Sequence, residues 1–148
     1  MLRQAEEARA VRPRHDLSPG EIDALEQHLY AYNAERTGRA DGAGLAFVAE
    51  AYGEPIGAVA GHTWGGVCEL KQVWVAESYR GRGVGRELMQ AAIDEAAARG
   101  CAHVFVATYD FQAPGFYREL GFVEVARIAD KPLGHTEYIL RHELRPGG

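Results

Sequence analysis

The segment Arg80-Gly81-Arg82-Gly83-Val84-Gly85-Arg86 constrains this chain more than any other. Glycine inside a helix or strand costs about 0.5–1 kcal/mol relative to alanine, so three glycines at alternate positions mark a connection. Before it, Glu69-Leu70-Lys71-Gln72-Val73-Trp74-Val75 ends in β-branched and aromatic residues that suit the middle of a sheet. After it, Val84, Leu88, Met89, Ala92, Ile93, Ala96 and Ala97 recur at helical spacing and form a wide apolar stripe. The segment therefore leads from a strand into the first turn of a helix. Backbone N–H groups freed of side chains close around an anion at such a place, and the helix N-terminus adds about half a positive charge. Arg80, Arg82 and Arg86 add charge-assisted hydrogen bonds, and their mutual repulsion favours a bound anion. A pyrophosphate is the predicted ligand, against the plainer reading of a glycine-rich turn with scattered arginines.

Spacing excludes two familiar phosphate loops. A dinucleotide loop needs G-x-G-x-x-G, but counting from Gly81 the last position is Arg86, and from Gly83 it is Leu88. The G-K-[ST] of a nucleoside-triphosphate loop is absent throughout.

The flanking chain supplies the rest of an α/β pattern. Ser18-Pro19-Gly20-Glu21 reads as a capping box with proline at the first helical position, followed by Ile22, Leu25, Leu29 and Tyr32, so a helix is predicted over 19–37. The glycine-rich stretch 37–44 reads as a flexible or substrate-facing loop. Short apolar runs broken at Gly53-Glu54-Pro55 and Trp64-Gly65-Gly66 predict antiparallel strands near 45–51, 56–63 and 67–75. The helix that begins after the arginine-glycine loop ends at Gly100. It is followed by a strand at 103–108, a short helix from Pro114 to Leu120 closed by Gly121, and strands at 122–128 and 136–143. Hairpins followed by alternating strands and helices predict an α/β (α+β) fold, a mixed sheet with helices on both faces.

At 148 residues the chain has the size of one domain with one site, and it is read as a single domain over 1–148. No apolar run approaches the roughly 18 residues of a membrane span, and the charged start lacks the core of a secretory signal, so a cytoplasmic location is expected. A net charge of −5 with dispersed basic residues disfavours a nucleic-acid surface. Cys68 and Cys101 are expected in the core, unbridged, and the six histidines and two cysteines show no metal-ligand spacing, so no metal is expected.

Two segments together resemble a known family. Arg80-Gly81-Arg82-Gly83-Val84-Gly85 matches the R/Q-x-x-G-x-G/A signature of the GNAT superfamily of N-acetyltransferases, and Val73-Trp74-Val75 looks like its pantetheine-binding strand. Downstream, Ala113-Pro114-Gly115-Phe116-Tyr117-Arg118-Glu119-Leu120-Gly121-Phe122 resembles the family's A-x-x-[LF]-Y-x-x-x-G-F segment. The resemblance covers about residues 45–143. It implies a mostly antiparallel sheet of six to seven strands, acetyl-CoA as cosubstrate, and transfer of its acetyl group to a small-molecule or peptide amine. It implies that the backbone of Val73 and Val75 pairs with the pantetheine amides, as an added strand would. It also implies that residues 80–86 hold the pyrophosphate, with Gln112, Ala113, Phe116 and Tyr117 completing the cofactor site. Many members carry an asparagine where this chain has Asp110, whose carboxylate cannot donate a hydrogen bond, so Gln112 or a backbone group is expected to make that contact. A homodimer is common in the family.

Acetyl transfer to an amine runs through an acyl-enzyme or by direct attack. An acyl-enzyme needs an activated cysteine, whereas Cys68 adjoins Glu69, which would raise its pKa, and neither cysteine has a histidine close in sequence. Direct attack is the better reading. An amine of pKa near 10 is only about 0.1% free base at neutral pH, so a proton acceptor is required. Glu69 resembles the strand glutamate that serves as base in some members; the alternatives are a glutamate facing solvent or pairing with Lys71, and proton removal through water by Glu35, Asp41 or no single residue. Tyr117 stands where the family commonly has the acid that protonates the departing sulfur, or else packs its ring beside Phe116 and Phe122. Phe111, Trp64, Trp74 and Tyr109 are candidates to shape an acceptor pocket, and His135 reads as a loop histidine. The competing class is a non-catalytic acyl-CoA sensor; a purely structural interaction domain leaves the arginine-glycine loop without purpose.

Overall fold

The computed structural model describes residues 2–144, which divide between Gly38 and Arg39 into two compact units. In the first unit, α1 spans Leu2–Ala8 and α2 spans Pro19–Thr37. The capping box forms as its residues predict: Ser18 Oγ accepts from the Glu21 N–H at 3.1 Å, and Glu21 Oε1 accepts from the Ser18 N–H at 3.0 Å. Gly38, left-handed at φ 72°, ends α2. α1 was not expected, because its seven residues carry helix-forming side chains but no apolar period.

The second unit is built on a six-stranded sheet of β1 (Ala43–Ala51), β2 (Glu54–Trp64), β3 (Val67–Val75), β4 (His103–Tyr109), β5 (Val123–Ala129) and β6 (Thr136–Glu143). Their order is β1-β2-β3-β4-β6-β5, and only β3 and β4 run parallel. The helix α3 (Val84–Ala98) makes that crossover, and α4 (Pro114–Glu119) joins β4 to β5. Glu54 and Pro55 lie in β2 rather than in a turn, since the β1–β2 connection closes at Tyr52-Gly53. The stretch 39–42 is anchored: Gly65 N–H donates to Asp41 Oδ1 at 3.0 Å and Trp64 Nε1 donates to the Arg39 carbonyl at 2.8 Å.

The stripe predicted on α3 packs except at Ala97, which is exposed. Leu88, Met89, Ala92, Ile93 and Ala96 are buried with Leu45, Val59, Cys68, Leu70, Val104 and Val106 of the sheet. Burying each larger side chain favours the fold by about 1.5–3 kcal/mol, so this contact fixes where α3 begins and therefore where its N-terminus points. Cys68 and Cys101 are buried and free, as expected for two small hydrophobes.

Candidate active site

A bulge in β3 opens the sheet. Ala60 faces Gln72 but its neighbour Gly61 faces Leu70, so Lys71 is an extra residue on β3. Gly61 is the residue that tolerates this approach, because a Cβ there would collide with the backbone of Glu69 and Leu70. Parallel pairing with β4 runs from Val67 opposite His103 to Leu70 opposite Val106 and stops at the bulge. Beyond it β3 stays with β2 and β4 stays with β6, so the two strands part like the arms of a V.

The arm of β3 turns backbone groups toward the opening. Ala76 N–H donates to the Ile56 carbonyl at 2.7 Å, on the β2 side, so the Val75 carbonyl on the same peptide points the other way. There it accepts from Arg80 Nε at 3.0 Å. Backbone polar groups alternate sides along a strand, which gives Val73 the same outward direction as Val75. The bulge also shifts the side-chain alternation, so that Val73 and Val75 pack on the core while Trp74 stays 50% exposed.

Two clefts follow from this opening. One, of about 730 Å³, lies between the arms, with Val73, Trp74 and Val75 on the β3 side and Thr108, Phe111 and Gln112 on the other. The second, of about 510 Å³, runs over Gly81, Gly83, Gly85 and Arg86 at the entrance of α3 and is walled by Phe116. Val73, Val75, Arg80, Ala113 and Tyr117 line both. Gly83 caps α3 at φ 87°, a conformation that side chains disfavour, and its carbonyl accepts from Glu87 N–H at 3.0 Å. The first N–H groups of α3 are left facing the second cleft.

Among the described residues, none of Arg80, Arg82 and Arg86 has a carboxylate within 4.0 Å. Arg82 stacks its guanidinium over the Tyr79 ring at 5.6 Å and lies outside the lining of both clefts. Val84 packs its side chain on the core and lines neither cleft; its N–H, in the first turn of α3, has no partner within the helix.

Tyr117 is 8% exposed, with its ring edge-on to Phe116 at 5.2 Å and to Phe122 at 5.8 Å. Burial pushes its pKa above the ordinary phenol value. Glu69 lines neither cleft; it is 3.8 Å from His62, its neighbour across β2, rather than paired with Lys71.

The Asp110 carboxylate is turned away from the clefts. Its Oδ1 is 2.9 Å from His135 Nδ1, its Oδ2 accepts from Thr136 N–H at 2.9 Å, and its own N–H donates to the Thr136 carbonyl at 2.9 Å. Burial alone would raise its pKa, but the Thr136 N–H and the His135 ring outweigh that and hold it below the usual carboxylate range. Gln112 Oε1 accepts from Tyr109 N–H at 2.9 Å and from Thr108 Oγ1 at 3.3 Å, which leaves its NH₂ as a donor in the larger cleft. Sequence reasoning missed the bulge at Lys71 and the partnership of Asp110 with His135; Gly61 was the available signal for the first, and no local signal marked the second.

Among the described residues no cluster of His, Cys, Asp and Glu could hold a metal ion, and no helix is long and apolar enough to cross a membrane.

Comparison with known proteins agrees with this geometry. Blasticidin-S acetyltransferase of Streptomyces morookaense is 41% identical over 95 residues, which are 62% of this chain and 68% of that protein. An acetyltransferase from Bacillus cereus has the same fold, with a TM-score of 0.77, 22% identity, and coverage of 93% of this chain and 99% of its own. An aminoglycoside 6'-N-acetyltransferase solved with coenzyme A aligns over 95% of this chain and 99% of its own, with a TM-score of 0.65 and 16% identity. The acetyltransferase (GNAT) family itself matches residues 9–122, which begins in the first unit and takes in β1 to β4, α3 and α4. A match over that share of the sequence decides the assignment: the chain belongs to the GNAT family and is an acetyl-CoA-dependent N-acetyltransferase.

Proposed function

We propose that the enzyme transfers the acetyl group to the primary amine of a small molecule by direct attack, with both substrates bound at once. The observation that carries this reading is the open edge of β3 leading to a loop of arginines without carboxylate partners. An extended amide chain adds to such an edge as a strand does, through the backbone of Val73 and Val75. The N–H groups of Gly81, Gly83, Val84 and Gly85, with Arg80 and Arg86, receive a diphosphate at the helix entrance, and Arg82 adds longer-range charge. The Gln112 NH₂, Ala113 and Phe116 complete the wall. Acetyl-CoA supplies an acyl group activated as a thioester.

Tyr117, uncharged and facing both clefts, donates its proton to the departing sulfur. Because Glu69 lines neither cleft, the proton leaves the amine through water, with Glu69, two residues before the bulge and 3.8 Å from His62, as its acceptor. Cys68 has no part in covalent chemistry, because burial, with the charges of Cys101 and Glu69 adding to it, pushes its pKa up to about 11. The chain is read as a single N-acetyltransferase domain, which the family match over residues 9–122 supports. The small-molecule acceptor is supported by the relative named for acetylating blasticidin S. Acetyl-CoA supply argues for the cytoplasm.

Thiol release from acetyl-CoA, measured across a panel of amines that includes blasticidin S, tests the reading. Release with at least one amine, lost in Tyr117→Phe, is the expected result. Tight coenzyme A binding with no release from any amine would favour a binding module instead.

A further inference from the structure

The turn after β4 holds an aromatic side chain rigidly and yet leaves it in the open. Residues 110–112 are fixed by the three Asp110 contacts to His135 and Thr136, by Gln112 N–H donating to the Tyr109 carbonyl at 3.0 Å, and by Gln112 Oε1 on the Tyr109 N–H. Between them Phe111 is 57% exposed, although it lines the larger cleft. One face of its ring lies parallel to Tyr109, at 5.2 Å and an interplanar angle of 4°. It also makes a T-shaped contact with His135, at 5.0 Å and 76°. The remainder of the ring is open to the cleft. Across the V, Trp74 is half-exposed on β3 and lines the same cleft. A turn pinned this firmly has no need of a solvated phenyl group, and burying that ring would favour the fold by about 1.5–3 kcal/mol. A ring kept exposed at that expense, inside a cleft, has an occupant to receive.

We infer that Phe111 is the platform for the acceptor, held by the Asp110–His135 bridge and faced by Trp74, and that it selects amines whose unreactive end is a flat π system. A planar ring or guanidinium packs on the exposed part of the Phe111 ring, where the aromatic quadrupole rewards π-stacking and cationic character. The net charge of −5 favours the cationic members of that class. Asp110 and His135 are positioning residues: they touch neither substrate and act by fixing the turn. This also accounts for a carboxylate at position 110, since its two oxygens reach His135 Nδ1 and the Thr136 N–H at once, whereas an amide has one acceptor oxygen.

The inference rests on the proposed reaction, and the experiment separates the two. Kinetics with phenethylamine, agmatine and hexylamine, and binding of each to the coenzyme A-loaded enzyme by calorimetry, are compared for wild type, Phe111→Ala, Phe111→Tyr, His135→Ala and His135→Gln. Wild type is expected to prefer phenethylamine and agmatine over hexylamine by roughly 10-fold in affinity or kcat/KM. Phe111→Ala removes the preference and Phe111→Tyr restores it. His135→Ala raises acceptor KM several-fold and more than the acetyl-CoA KM, and His135→Gln, which keeps a hydrogen bond to Asp110, recovers part of it. Equal treatment of the three amines by wild type, or a Phe111→Ala enzyme that keeps the preference, overturns the platform and leaves the reaction standing. Absence of coenzyme A binding defeats the reaction itself, and the platform with it.

Discussion

The Nε of Arg80 donates to the carbonyl of Val75 at 3.0 Å, joining the phosphate loop to the open edge of β3. The residue expected to grip the diphosphate thus also tethers the strand expected to receive pantetheine. Two consequences follow from removing it: a positive charge is lost at the entrance of α3, and the end of β3 loses its tie to the loop.

Arg80→Ala is therefore expected to weaken coenzyme A binding about 10-fold, the size of one charge-assisted hydrogen bond. Calorimetric titration at two salt concentrations measures it. Unchanged affinity would remove Arg80 from the diphosphate site.

Tyr117→Phe is expected to lower kcat about 10-fold or more, with acetyl-CoA affinity largely kept. The pH profile gives a second check. Because burial raises the phenol above its ordinary value, the proton-donating form is complete below that raised pKa and is lost only as pH climbs through it. Wild-type kcat should accordingly show no loss of the acid until above about pH 10. A Tyr117-dependent fall between pH 7 and 9 would contradict this role.

The buried Cys68 thiol, pushed up to about 11, is only about 0.1% thiolate at pH 8. Native enzyme is expected to resist Ellman's reagent at that site, and Cys68→Ala to retain turnover. Mass spectrometry of enzyme quenched during turnover should find no acetyl group on Cys68; finding one would replace direct attack with an acyl-enzyme.

Asp110 makes an acid-sensitive anchor. Its folded pKa lies below the unfolded value, so the stability it contributes is complete above the unfolded pKa of about 3.9 and is lost as pH falls through the folded value. The urea midpoint of wild type should exceed that of Asp110→Asn near pH 5, and the gap should shrink as pH drops toward 2. A gap that widens on acidification would show that the carboxylate is not held by Thr136 and His135.

What the sequence revealed was written in local patterns. The capping box at Ser18 and Glu21 and the apolar stripe on α3 involve residues within one or two helical turns of each other, so the boundaries of α2 and α3 could be read directly. The arginine-glycine loop was legible for the same reason, along with its strand and helix neighbours. The extra residue at Lys71 was not, because a bulge is fixed by how Gly61 and Glu69 meet across two strands. Asp110 stood out as a departure from the family pattern, but its partner lies 25 residues on, at the end of another loop. The sequence offered Gln112 as the donor in its place, and the geometry leaves the Gln112 NH₂ free for that contact. The acidic neighbour of Cys68 argued for an inert thiol, yet burial is the larger cause.

Backbone amide shifts on titration with coenzyme A test the central claim most directly, since the claim is about main-chain donors. The amides of Gly81, Gly83, Val84 and Gly85, and those of Val73 and Val75 on the open edge of β3, are expected to move most and to saturate together. Saturable binding that leaves these six amides in place while moving others, or no binding by folded enzyme, would contradict the account.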